Sequence, residues 1–183
     1  MSIRRAKQED AERIHKLAKS LWIDWSNPQR KGFLVNKRTE QHYAARTESP
    51  FFYVAEDNSR LAGFLMCFDS STFRKFAAQG IINPSEGDVK FMLNQKDSWV
   101  FGDQIGIDPK LSRNKIGSAM MKQLFSDMDE RAIKDMYVSI LHKPVRNYAS
   151  IDFCTGLGFK HLKGADAENQ GGTTWGMYHL KLK

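Results

Sequence analysis

Apolar residues recur at Ile14, Leu17, Ala18, Leu21 and Trp22, the spacing of one helical face. A short strand around residues 2–5 precedes this helix. Glu9, Asp10 and Glu12 fall in its first turn, where acidic groups complement the positive end of the helix dipole. Residues 25–37 are polar and basic, punctuated by Pro28 and Gly32, and read as a loop. A second helix is predicted from Thr39, a good N-cap, to about Arg46.

Two apolar runs follow, 51–56 and 60–68, separated by Asp57-Asn58-Ser59, which predicts a β-hairpin. Residues 61–68 are apolar almost throughout, as in a strand covered on both faces. Residues 70–98 mix Gly80, Pro84 and Gly87 with short helical pieces and read as an insertion. Beyond it the pattern predicts a strand at 99–107, a long helix after Ile116, a strand at 136–141 and a helix at 147–156. Final strands are expected around Phe159 and at 175–182, with residues 164–174 between them as a mobile loop. Strands alternating with helices after an initial hairpin imply an α/β fold of the α+β type: a mixed, twisted sheet of about six or seven strands, with helices on both faces.

Composition narrows the class. A chain of 183 residues, 41% hydrophobic, is expected to form one domain over residues 1–183. Arg4, Arg5, Lys7, Glu9 and Asp10 interrupt any secretory signal at the start, and no later run is long and apolar enough for a bilayer span. Cys67 and Cys154 stand in no ligand or disulfide spacing, which fits a reducing, cytoplasmic setting. His15, His42, His142, His161 and His179 form no recognisable ligand spacing, and no metal is expected. The net charge of +7 favours polyanionic partners, a phosphate-bearing coenzyme as readily as nucleic acid. The basic residues are spread along the chain with no nucleic-acid reading motif, which argues against the latter.

The segment from Ile105 to Met121 carries the candidate chemistry. A strand ends at Ile107-Asp108-Pro109, passes through Ser112, Arg113, Asn114 and Lys115, and opens into a helix at Ile116-Gly117-Ser118. Free N–H groups at a helix N-terminus hold phosphate without a dedicated side chain, and Arg113 and Lys115 add charge. A side chain at Gly117 would keep phosphate oxygens from the amides. This segment resembles the acetyl-CoA-binding motif of the GNAT N-acetyltransferases, Q/R-x-x-G-x-G/A. Ser112 stands at the Gln/Arg position, Lys115 at the first Gly and Gly117 at the second. The apolar face Met120, Met121, Leu124, Phe125 and Met128 would seat the following helix on the sheet.

A second stretch, Asn147-x-x-Ser150-x-x-Phe153-Cys154 through Gly158-Phe159, is similar to that family's N-x-x-A-x-x-x-Y-x-x-x-G-F element. The resemblance implies that Asn147, with Ser150 beside it, contacts the pantetheine. It assigns Cys154 to the position of the family's tyrosine, a general acid, with Tyr148 as a substitute. It further implies a sheet splayed between the fourth and fifth strands, with backbone from Gln104 to Ile107, including Ile105, aligning the pantetheine. A base is expected on the same strand. Alternation puts Asp103 on the face of Phe101, Ile105 and Ile107 if no bulge intervenes, with Glu56 in reserve. The amine acceptor is expected near Trp22, Trp25, Phe33 and Tyr43, although Trp22 also fits the core.

The resemblance thus implies transfer of an acetyl group from acetyl-CoA to a primary amine of a small molecule, peptide or protein, with homodimerisation as a family expectation. Two other readings stay open, the first of them because Ser112, Lys115 and Cys154 depart from the family pattern. One is an acyl-CoA sensor without turnover on the same fold, the other a basic nucleic-acid binder.

Overall fold

Eight of the ten residues of the strand Arg60–Asp69 are buried, because this strand lies inside a sheet with helices on both faces. A computed structural model describes residues 1–28, 32–58, 60–112, 114–169 and 171–183. In chain order the elements are β1 (Ser2–Arg5), α1 (Ala11–Ser20), α2 (Glu40–Arg46), β2 (Phe52–Asp57), β3 (Arg60–Asp69), α3 (Ser70–Ala78) and α4 (Gly87–Leu93). There follow β4 (Trp99–Ile107), α5 (Ile116–Glu130), β5 (Asp135–Lys143), α6 (Tyr148–Gly156), β6 (Lys160–His161), β7 (Ala167–Asn169) and β8 (Thr173–Lys181). Among the described residues no helix is long and apolar enough to cross a membrane.

The sheet runs β1-β2-β3-β4-β5-β8-β6, with β7 paired to β8. Its pairs are antiparallel except β4 with β5, which is parallel. Side chains alternate along β3 between two cores. Phe64, Met66 and Phe68 pack with Ile14, Tyr43 and Phe73 on the α1–α4 side. Leu65 and Cys67 pack with Ile116, Met120, Leu124 and Met128 of α5 on the other.

Local chemistry sets the helix boundaries. Thr39 caps α2 by accepting a hydrogen bond from the His42 N–H, and Asn147 caps α6 through the Ser150 N–H. Asp10 is more than a dipole partner for α1. It is fully buried, accepts from Arg4 and from the Lys7 N–H at 2.7–2.8 Å, and is also paired with Arg13. Arg4 and Arg13 also bind Glu56, which ties β1, β2 and α1 together.

One expectation changes here, and two become more definite. Residues 164–174 are not simply a loop, since Ala167–Asn169 pairs with Thr173–Trp175 as a hairpin. Glycines at 171 and 172, both at positive φ, make its turn, and those small residues hid the strand before them. The strand expected around Phe159 begins one residue later, at Lys160, with Phe159 buried under the sheet. Within residues 70–98 lie two defined helices, α3 and α4.

Candidate active site

β4 decides where the cleft opens. It is paired with β5 from Trp99 to Gly102 only, although β4 continues to Ile107 and β5 to Lys143. The cause sits on the other edge, where Met66 pairs with Gln104 and the next residue, Cys67, pairs with Gly102. Asp103 is therefore the extra residue of a β-bulge, which bends β4 at the point where it parts from β5. Tight packing precedes the parting: a Cβ on Gly102 would lie 2.9 Å from Val138 Cγ1.

The bulge also corrects the facing expected of Asp103. Phe101 packs in the α1–α4 core, whereas Ile105 and Ile107 pack toward α5, so the three do not share a face. Asp103 turns with its neighbour Gln104 toward the first helices. Both carboxylate oxygens accept from Arg38 Nη2, at 2.9 and 2.7 Å. Gln104 is buried, accepts from the Tyr43 hydroxyl at 2.9 Å and donates to the Asn36 carbonyl at 3.0 Å.

The parted strands line a cleft of about 810 Å³, closed on one side by residues 32–36 and on the other by the turn after β4 and the start of α5. Asp108 shapes that turn. It accepts from the Lys110 N–H at 2.9 Å and from Arg60 at 2.7 Å, which fixes a 3-10 turn over Pro109–Leu111. Among the described residues no side chain caps α5, and its N-cap residue, Lys115, has a left-handed backbone with φ 58°. The first N–H groups of such a helix have no partner within it and favour an anion. A Cβ on Gly117 would stand 3.3 Å from Phe153, so this glycine lets α5 approach α6 closely.

Of the residues expected to bind the coenzyme, Ile105, Ile107, Ser112, Lys115, Ile116, Gly117, Ser118, Asn147 and Ser150 line this one cleft. Asn114 is exposed and outside the lining, and Arg113 lies outside the described residues. Asp103 and Cys154 also face the cleft. Burial pushes the Cys154 thiol up to about 12. Tyr148 is 59% exposed and outside the lining, and the structure does not bring it to Cys154's side of the cleft. Glu56, held by Arg4 and Arg13 between β1 and α1, is likewise remote from it. Of the four aromatic residues expected at the acceptor, Phe33 lines the cleft. Tyr43 is wholly buried, Trp22 packs against the core and Trp25 is 44% exposed.

Several residues gathered here gave no signal in the sequence. Trp175 of β8 lines the cleft from a strand whose register no local pattern announces. Asp88 at the start of α4 is buried, accepts from the Ser139 hydroxyl at 2.8 Å and from Asn169 at 3.0 Å, and is raised above the ordinary carboxylate range by that burial. The histidines that showed no ligand spacing are partly brought together: ligand atoms of His142, His161 and Asp166 lie within 4.8 Å of one another, outside the cleft lining. There His161 Nε2 meets Asp166 at 2.7 Å and His142 Nε2 meets the Tyr178 hydroxyl at 3.1 Å.

With this geometry in place, the chain was compared with known proteins. A family model described as the acetyltransferase (GNAT) family matches residues 11–159. No curated protein matches the chain in sequence. Among solved structures, a PaiA N-acetyltransferase from Thermoplasma acidophilum in complex with coenzyme A aligns over 98% of both chains at 14% identity, with a TM-score of 0.61. An N-acetyltransferase from Staphylococcus aureus Mu50 aligns over 100% of this chain and 98% of its own, at 19% identity and a TM-score of 0.64. The ribosomal-protein-S18-alanine N-acetyltransferase from Escherichia coli aligns over 100% of this chain and 94% of its own, at 13% identity and a TM-score of 0.62. At these identities the likeness is one of fold: an open mixed sheet flanked by helices.

Proposed function

The chain belongs to the acetyltransferase (GNAT) family, and from that premise we propose that it transfers an acetyl group from acetyl-CoA to a primary amine by direct attack in a ternary complex. One observation carries the reading: the uncapped N-terminus of α5 and the unpaired edges of β4 and β5 open into the same cleft. A phosphate-bearing thioester fits that arrangement. The amides of residues 116–118 and the Lys115 ammonium would hold phosphate, and the free edge of β4 from Gln104 to Ile107 would align the pantetheine. Main-chain N–H groups on that edge would polarise the thioester carbonyl as charge develops on its oxygen. The coenzyme complex of the Thermoplasma relative supports this choice.

In this reading Asp103 takes the amine proton, directly or through water, from the point where β4 bends. Its ion pair with Arg38 fixes its position, and accepting a proton requires that pair to loosen. Asp88 stands behind Ser139 as a second carboxylate. Cys154 faces the cleft as a hydrogen-bond donor only. Proton transfer from a thiol at about 12 to a thiolate of ordinary basicity, roughly 8.5, is uphill by about 5 kcal/mol. The departing thiolate is stable enough near neutral pH to leave without an acid. Both cysteines are free, and we read the setting as reducing and cytoplasmic.

Calorimetric titration with acetyl-CoA, beside coenzyme A and a nucleic-acid control at physiological salt, tests the reading. One-site saturable binding of acetyl-CoA is expected, and its absence would remove the proposal. Asp103→Asn is then expected to lower kcat about 10²-fold with the acetyl-CoA KM unchanged. An unchanged pH–rate profile would dismiss Asp103 as the base. A second reading, an acyl-CoA sensor without turnover, draws on the occupation of both Asp103 oxygens by Arg38. It predicts binding without thiol release for any amine.

A further inference from the structure

Beside the cleft lies a second cavity of about 410 Å³, and the two share Val35, Asn36, Asp103 and Trp175 as walls. Arg46, on the inner face of α2, lines this second cavity at 1% exposure. Its hydrogen bonds go to carbonyl groups: Nη1 donates to His42 at 2.8 Å and Nη2 to Ile81. Its Nε is buried without a partner, and among the described residues no carboxylate pairs with it. Carbonyl dipoles satisfy N–H groups but leave the net charge uncompensated, an arrangement that proteins rarely retain without an anion to receive it.

Among the described residues, none of the carboxylates that line the cavity, Asp103, Asp88 and Glu86, forms an ion pair with Arg46, although Asp103 attracts it from across the wall. Asp103 is committed to Arg38. Asp88 accepts from Ser139, Asn169 and the Val89 N–H, with no donor from Arg46. Burial, with repulsion from Arg38 and only partly offset by attraction to Asp103, brings Arg46 down to about 10, where it is still a cation at neutral pH. The rest of the wall mixes the polar Asn83, Glu86 and Asn169 with Phe68, Phe73, Ile82 and Phe101, and this apolar part suits a hydrocarbon or aromatic group.

We propose that this second cavity is the acceptor pocket and that the acceptor is a small free amino acid with an apolar side chain. Its carboxylate pairs with Arg46 and its amine lies at the Asp103 end, where the cavity meets the cleft. The inference rests on the acetyl-transfer reading above and adds the acceptor's class to it. A buried cation that is bonded only to carbonyls rejects an amine lacking the carboxylate, because that amine leaves the charge unpaired. Acetylation then proceeds by attack of the neutral amine on the thioester carbonyl. The C–N bond forms, the C–S bond breaks, one proton passes to Asp103 or water, and the thiol leaves.

The test compares free apolar amino acids (leucine, methionine, phenylalanine, valine and isoleucine) with their decarboxylated amines, by thiol release on the wild-type chain. At least one amino acid is expected to be acetylated with kcat/KM a hundredfold or more above its decarboxylated amine. Arg46→Gln is expected to raise the KM of that amino acid at least tenfold, with kcat and the acetyl-CoA KM near wild type. If the variant does not fold, the wild-type panel decides alone. Amines equal to or better than the amino acids, or no amino acid accepted, would overturn the inference. So would an Arg46→Gln variant that lowers kcat/KM equally for both members of a pair. Calorimetry with acetyl-CoA on the same sample separates the two levels: binding with silent amino acids sinks the acceptor class alone, whereas no binding sinks the acetyl-transfer reading as well.

Discussion

The Asn147 side chain bridges two elements 114 positions apart: Nδ2 donates to the Phe33 carbonyl at 3.0 Å while Oδ1 accepts from the Ser150 N–H at 3.2 Å. The residue that family resemblance assigns to the pantetheine thus caps α6 and latches the loop that closes one side of the cleft. Gly32 reinforces the latch, since a Cβ there would stand 3.5 Å from the Ala149 Cβ. The two functions of Asn147 can be separated by substitution. Asn147→Ala loses cap and latch and is expected to cost about 1 kcal/mol in denaturant unfolding. Asn147→Ser keeps the cap but cannot reach the Phe33 carbonyl as an amide does. It is expected to retain most of that stability while weakening acetyl-CoA binding severalfold by calorimetry. Equal affinity for Asn147→Ser and wild type would show that the latch does not shape the coenzyme site.

Lys115 stands where the family pattern has its first glycine, and its left-handed φ of 58° explains that preference. A side chain there is strained by about 1 kcal/mol. Lys115→Gly relieves the strain but adds freedom to the unfolded chain, so a net stabilisation of up to ~0.5 kcal/mol is expected from the thermal midpoint. Its second effect is opposite in sign. Removing the ammonium beside the α5 amides is expected to weaken acetyl-CoA binding and flatten its salt dependence. Unchanged salt dependence would exclude Lys115 from phosphate contact.

Cys154→Ala distinguishes proton donation from packing. The half-buried thiol is held near 12 by burial, so the variant is expected to keep kcat within about twofold across pH 6–9. A large fall in kcat, constant over that range or greatest at its acid end, would restore it as the acid.

Asp10 links stability to pH. Burial would raise its carboxyl, but hydrogen bonds from Arg4, the Lys7 N–H and Arg13 outweigh that and hold it well below the ordinary carboxylate range. A depressed carboxylate stabilises the fold fully above its unfolded value, near 3.8, and loses that contribution as pH falls toward its folded value. Asp10→Asn is therefore expected to cost about 2–3 kcal/mol at neutral pH, a figure discounted because both arginines are about one-third exposed. The gap between variant and wild type should narrow as pH drops below about 4, measured by urea unfolding. A gap that is constant down to pH 2 would refute the linkage.

Much of this molecule is legible in one dimension because its signals are local. Thr39 and Asn147 announce helix starts through the N–H groups they accept from within three residues. The unbroken apolar run of β3 reports burial on both faces, since each side chain of a strand samples one face in turn. The segment from Ile105 to Gly117 shows a strand ending and a helix beginning, the pattern on which the proposed anion site rests.

Tertiary structure alone decided what depends on register and distant pairing. The bulge at Asp103 arises from how β4 pairs with β3, not from any feature of residues 99–107 themselves, and it leaves Asp103 on the side of Phe101 while Ile105 and Ile107 pass to the other. Arg38, Arg46, Asp88 and Trp175 come from four separate stretches and surround the second cavity only after the sheet and both helical layers have formed. Charge in a sequence carries no partner. Whether a guanidinium is a solvated surface group or a buried cation that lacks a carboxylate depends on burial, and burial is a property of the assembled fold.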